Sequence, residues 1–177
     1  MIEFRPAGPD DAERVAALHA DSWRRHYRGA YADAFLDGDV ETDRRAVWSA
    51  RLSTPARTAT VLGEQDGRLA GFVHVVLDSD PRWGSLVDNL HVAHDRRRGG
   101  IGRRLLAHAA GAVRAGATTG ALYLWVLQQN TAAQAFYRAC GGTQVETVPV
   151  TGDPARLNGT PHKHRIAWPD VAPLLDA

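Results

Sequence analysis

Between residues 86 and 127 the chain passes through four patterns in succession. These are a strand candidate (Leu86–Val92, LVDNLHV), a turn of arginine and glycine, a helical stretch and an uninterrupted apolar run (Ala121–Leu127, ALYLWVL). Over Gly100–Ala115, Ile101, Leu105, Ala109 and Val113 fall on one helical face. The run at 121–127 reads as a strand buried on both sides, as parallel strands are. A strand–helix–strand unit of this kind joins parallel neighbours by a right-handed crossover. The remaining elements must be arranged around that unit.

Upstream, Ile2–Arg5 alternates as a short strand stopped by Pro6. Asp10 with Glu13 has the spacing of a capping box, opening a helix to about Tyr27. A second helix is expected over about 39–52. Thr58–Gly63 and Leu69–Leu77 read as strands, and Asp66-Gly67 between them is a hairpin signal. Asp78–Gly84 reads as a loop. Downstream, Thr131 with Gln134 predicts a capped helix carrying Phe136, Tyr137 and Cys140, stopped by Gly141-Gly142. Thr143–Val150 and His162–Trp168 complete the strand candidates. The order is that of a mixed α/β (α+β) sheet protein, expected to form one domain over 1–177.

Composition narrows the function classes. The chain has 177 residues, 44% of them hydrophobic and 23% charged, a soluble globular balance. No apolar run approaches the roughly 20 residues that span a bilayer. The N-terminal residues carry no secretory pattern. Cys140 is the single cysteine, so no internal disulfide can form and a reducing cytoplasm is expected. The net charge of +1 hides an asymmetry. Residues 1–90 hold 11 arginines against 15 acidic residues; residues 91–177 hold 10 basic residues against 5 acidic ones. An acidic half joined to a basic half suggests partners of opposite charge meeting at one site. Lys163 is the only lysine, a usage that fits coding bias in a GC-rich bacterial genome.

The chemistry concentrates at Asp95–Leu106 (DRRRGGIGRRLL), between a strand and a helix. A glycine turn at a helix N-terminus offers free backbone N–H groups and the positive end of the helix dipole. Five arginines surround it, which describes an anion site, most naturally for phosphates. The dinucleotide pattern GxGxxG fails because Leu105 stands at its last position, and no Gly-Lys pair exists for a P-loop. The pattern that fits is [QR]-x-x-G-x-[GA], as Arg97-Arg98-Gly99-Gly100-Ile101-Gly102. A solvated helix start and a nucleic-acid patch are the competing readings; no aromatic platform or recognition helix accompanies the arginines.

Here the chain resembles the GNAT superfamily of acetyl-CoA-dependent N-acetyltransferases. Asp88–Val92 is similar to the family's fourth strand, Leu122–Val126 to its fifth, and Asn130–Gly141 (NTAAQAFYRACG) to the helix that follows. The resemblance covers nearly the whole chain. It implies a mostly antiparallel sheet of about seven strands, with a central parallel pair splayed for coenzyme A and about four flanking helices. It implies acetyl-CoA as donor and no metal. Arg97, Arg98, Gly99, Gly100, Ile101, Gly102 and Arg103 would hold the pyrophosphate. The backbone of Leu90, His91 and Val92 would pair with the pantetheine arm, with Asn130 and Ala133 on its other side.

The resemblance also assigns Tyr137 as the acid that protonates the departing thiolate; the spacing alone favours a core tyrosine on an amphipathic helix. Asp88 is the first candidate for the base that frees the amine. An ion-paired carboxylate, His91 and a water chain are the alternatives, and regular alternation would turn His91 to the opposite strand face from Asp88. The oxyanion is expected to meet backbone N–H groups near Leu90–His91. For the acceptor, a small-molecule or peptide amine, Trp23, Tyr27, Tyr31, Trp83 and Asp88 are candidate walls. Asp33, Asp37, Asp39 and Glu41 form an acidic set that would attract a cation. A packed aromatic ridge and a solvated turn are the plainer readings of the same residues. His162-x-His164 is read as an edge-strand pair rather than a metal site, and Cys140 as core. The expected function is direct acetyl transfer to a primary amine in a ternary complex, in a protein that binds neither nucleic acid nor membrane. A catalytically inactive acyl-CoA-binding scaffold is the alternative, and a homodimer through the late strands is possible.

Overall fold

The computed structural model describes residues 1–176. Seven strands form one sheet: β1 (Ile2–Pro6), β2 (Thr58–Gln65), β3 (Arg68–Asp80), β4 (Gly84–Val92), β5 (Leu122–Leu127), β6 (Thr143–Pro149) and β7 (His162–Trp168). Their spatial order is β1-β2-β3-β4-β5-β7-β6. Every pairing is antiparallel except β4 with β5. The hairpin at Asp66-Gly67 forms as expected, with both residues at positive φ (54° and 72°), the type I′ geometry that suits strand twist.

Among the described residues six α-helices accompany the sheet: α1 (Ala12–His26), α2 (Asp33–Asp37), α3 (Val40–Ser53), α4 (Ile101–Gly116), α5 (Thr131–Ala139) and α6 (Ala172–Leu175). The four long ones match the expected helices. The short α2 and α6 exceed the expected four, because five and four residues are too few to show a helical period. The expected loop over 78–84 is mostly strand: β3 continues to Asp80, and only residues 81–83 turn. Polar residues at the ends of β3 concealed that extension.

Two cores clamp the sheet. On one face Leu105, Leu106, Ala109 and Val113 of α4 meet Val73, Val75, Leu122 and Leu124, all nearly inaccessible. On the other, α1 and α3 bring Val15, Ala16, Trp48 and Leu52 onto Leu62 and Phe72. Tyr137 and Cys140 belong to the first core, as the plainer reading of the cysteine has it. Two helix starts differ from the capping patterns. Asp11, not Asp10, precedes α1, because a short 3-10 turn at Pro9–Asp11 comes first. Asn130, not Thr131, caps α5, its Oδ1 accepting from Ala133 N at 3.2 Å. Gln134 reaches back to the carbonyls of Leu127 and Gln128 instead.

The candidate active-site cleft

The parallel pair β4–β5 is joined only at Ser85–Leu122, Leu86–Tyr123 and Val87–Leu124. Beyond Val87 the two strands separate. Leu90, His91 and Val92 keep β3 as partner on one side and turn an unpaired backbone edge toward β5 on the other. The gap opens into a cleft of about 550 Å³, lined by β4 from Val87 to Val92, β5 from Leu124 to Leu127, the arginine-glycine turn, and Asn130, Ala133, Phe136 and Tyr137. The end of α1 closes it with Ser22, His26 and Tyr27.

A bulge beside the point of divergence sets which side chains meet there. His74 of β3 pairs with Asn89 and Val75 with Val87, so Asp88 is the extra residue on β4. The bulge shifts the alternation by one place. Asp88 therefore reaches Arg51 of α3 at 2.7 Å, while His91 reaches Ser22 and His19 of α1, on the same side of the sheet. The expectation that His91 and Asp88 occupy opposite faces is corrected by this one inserted residue.

The turn has the features of an anion site. Gly100 caps α4 at φ 75°, a left-handed conformation natural to glycine, with open space where a Cβ would stand. Arg98 also lies at positive φ. Arg104 N donates to Gly100 O, the first bond of the helix, which leaves the N–H groups of Ile101, Gly102 and Arg103 without helical acceptors. Arg96 pairs with Asp66 and Asp95. Arg97, Arg98, Arg103 and Arg104 make no ion pair among the described residues, whereas the arginines of α1 and α3 are mostly paired. Arg97 instead reaches across the cleft to His26. A concentration of uncompensated guanidinium groups beside free N–H donors fits a pyrophosphate. The unpaired β4 edge fits an extended amide-bearing arm that adds to it as a strand does.

Tyr137 projects from α5 and lines the inner cleft, largely buried at 8% exposure. Burial, with the Cys140 thiol nearby, raises its phenol above the ordinary value, so it keeps its proton at neutral pH. His91 is pushed down to about 3 by burial and by the neighbouring His26, Arg44 and Arg97. It is neutral at physiological pH and a weak base. Its Nδ1 lies 2.7 Å from Ser22 Oγ.

Of the candidate acceptor walls, Tyr27 and Asp88 line the cleft. Trp23 and Tyr31 stand behind Tyr27, ring to ring at 4.9 and 5.4 Å, within a small core that includes Phe35 and Leu36. Trp83 lies between the guanidinium groups of Arg82 and Arg165, outside the cleft. Most of the acidic set is already compensated: Asp33 and Asp37 by Arg28, and Glu41 by Arg24 and Arg45. His162 is exposed and His164 is buried against Thr147, and the described residues hold no cluster of metal-binding side chains. Ser22, His26 and Trp125 line the cleft without having been singled out; each comes from an element whose approach to the turn is set only by tertiary packing.

Residues 13–141 match the model of the acetyltransferase (GNAT) family. The chain belongs to that family. A curated relative, the uncharacterized N-acetyltransferase YuaI of Bacillus subtilis (strain 168), is 24% identical over 177 residues, covering 98% of this chain and 96% of its own length. Among solved structures, the PaiA N-acetyltransferase of Thermoplasma acidophilum, in complex with coenzyme A, superposes with a TM-score of 0.73. It is 17% identical, over 95% of this chain and 99% of that one. The protein yncA of Salmonella typhimurium, solved with its cofactor acetyl-CoA, gives 0.68 at 18% identity, over 96% and 94% of the two chains. The GNAT fold, with its splayed parallel pair, is therefore the architecture of this protein. No helix among the described residues is long and apolar enough to cross a membrane.

Proposed function

We propose that the protein transfers an acetyl group from acetyl-CoA to a primary amine by direct attack within a ternary complex. The observation that carries this reading is the opening of β4 from β5 in one cleft with a turn whose Arg97, Arg98 and Arg103 make no ion pair among the described residues. Bound acetyl-CoA supplies a thioester, the acceptor for the amine's lone pair. The N–H groups of Ile101–Arg103 and the guanidinium groups of Arg97, Arg98 and Arg103 hold the donor's phosphates. Leu90–Val92 orient its arm along the free strand edge, with Asn130 and Ala133 opposite.

Three tasks then fall to this chain. Tyr137, held as a phenol, donates a proton to the sulfur as it leaves. Backbone N–H groups of β4 near Leu90–His91 stabilise charge that develops on the carbonyl oxygen. The amine's proton leaves toward Asp88 through water, since Arg51 occupies one carboxylate oxygen and His91 is too weak a base to compete. The buried inner wall keeps bulk water from the thioester.

Calorimetric titration of acetyl-CoA into the parent and into Gly100→Glu tests the donor half. Binding in the micromolar range that is lost in the variant supports the reading, and no binding by the parent overturns it. An amine panel followed by thiol release then tests the transfer itself.

A further inference from the structure

The sheet by itself does not set the direction of Asp88. The bulge leaves it without a partner on β3, since His74 pairs with Asn89 and Val75 with Val87. On the other side β5 has already turned away, the last pair being Val87 with Leu124. A strand residue without a ladder partner on either side has little in the sheet to hold its side chain. Yet this carboxylate lines the cleft at the point where the two strands part. What holds it comes from outside the sheet. Arg51 of α3 places Nη2 2.7 Å from Asp88 Oδ2, and its Nη1 donates to Asn89 Oδ1 at 2.8 Å. Consecutive residues of a regular strand point to opposite faces. The bulge turns both of these toward α3, where one planar guanidinium takes an oxygen from each.

The guanidinium is backed in turn by the core. Its Cζ lies 5.1 Å from the centre of the Trp48 ring, one turn earlier on the same helix. Trp48 is fully buried, and its indole N–H donates to His19 Nδ1 at 3.0 Å. Asp88 is thus anchored through Arg51 to a packed helix rather than to a loop. Arg51 itself is not among the residues that line the cleft. The second oxygen of Asp88, Oδ1, makes no hydrogen bond among the described residues. We infer that Arg51 is a positioning residue for the transfer: from α3 it holds the Asp88 carboxylate toward the cleft, one oxygen bound and the other free to take the amine's proton. This rests on the acetyl-transfer reading with Asp88 as its proton acceptor, and names what aims that acceptor.

The test compares Arg51→Met, Asp88→Asn and the double variant with the parent, by thiol release over an amine panel at saturating acetyl-CoA. Methionine keeps an apolar stem over Trp48 and drops both polar contacts. Arg51→Met should lower kcat by roughly ten- to a hundredfold, as misalignment of a reacting group does, with acetyl-CoA affinity nearly unchanged. In the Asp88→Asn background the same change should cost less than about twofold, because no carboxylate remains to be aimed. A role in folding alone would multiply the two losses and weaken acetyl-CoA binding as well. Arg51→Lys keeps the charge but reaches one oxygen rather than two, and serves where Arg51→Met does not fold; its loss too should vanish beside Asp88→Asn. Losses that multiply overturn the inference, as does a parent-like kcat in Arg51→Met. Asp88→Asn as fast as the parent removes the proton acceptor and the inference with it. A parent that acetylates no amine overturns the transfer reading itself, and acetyl-CoA titration in parallel separates that result from loss of the donor site.

Discussion

His74 gives the sharpest quantitative test of how the site is supported. It sits on β3 opposite Asn89, at the bulge that exposes Asp88, and is 2% accessible. Its ring stands edge-on to Trp48 at 5.3 Å, and its Nδ1 lies 2.7 Å from Thr60 Oγ1. Burial, aided by Arg51, pushes it down from 6.5 to about 4. The unfolded chain therefore binds a proton near pH 6.5 that the folded chain refuses until about pH 4. The stability contributed by neutral His74 is complete above pH 6.5 and is lost as pH falls toward 4. From pH 7.5 to pH 5 this one group should remove about 2 kcal/mol, and by pH 4 about 3 kcal/mol. His74→Asn retains a hydrogen-bonding group for Thr60 and cannot titrate. Urea unfolding of both proteins at the three pH values isolates the effect, because His19, His91 and the carboxylates are common to both. The parent should lose about 2 kcal/mol more than the variant between pH 7.5 and 5. Parallel losses would show that His74 accepts its proton in the folded state, and the argument from burial would fail.

Tyr137→Phe should lower kcat by about a hundredfold or more, as loss of a general acid does, with acetyl-CoA affinity nearly unchanged; steady-state rates beside donor titration decide it, and an unchanged kcat removes the acid role. Asp88→Asn should lower kcat/KM and flatten the pH–rate profile on its acidic side, so a profile superposable on the parent's excludes Asp88 as proton acceptor. Gly84 stands at φ 80°, and a Cβ there would come within 2.3 Å of Ala121 O. Gly84→Ala should therefore cost about 3 kcal/mol in thermal or urea unfolding and weaken donor binding, because Ser85 N donates to that same carbonyl where β4 and β5 begin to pair.

Much of the donor side was legible in the sequence because it is local. The turn, the helix it caps and the two apolar runs are contiguous, and hydrophobic period with glycine placement suffices to read them. The acceptor side is assembled from distant segments. Arg51 meets Asp88 across 37 positions of chain, and Ser22 meets His91 across 69. No short-range pattern encodes those meetings. The facing of His91 was misread for a subtler reason. The bulge at Asp88 displaces the facing of β4 by one residue, and its only trace in the sequence is the adjacent polar pair Asp88-Asn89. The acidic set of 33–41 was legible as charge but not as compensated charge, since its partners include Arg24 of α1 and Arg28 in the turn after it.

The position of β7 bears on how the protein is made. β5 forms one wall of the cleft, yet β4 holds it only near Leu122–Leu124, whereas β7 pairs with it along its whole length from Leu122 to Leu127. The strand that steadies this wall is the last of the seven described strands in chain order. A ribosome-bound chain that has emerged only through β6 would present β5 with an open edge and a binding gap of undefined width. Ligand recognition should therefore arise late and abruptly during synthesis, once residues up to Trp168 are free to pair. Donor binding would thus report on the docking of β7 as well as on the residues of the cleft.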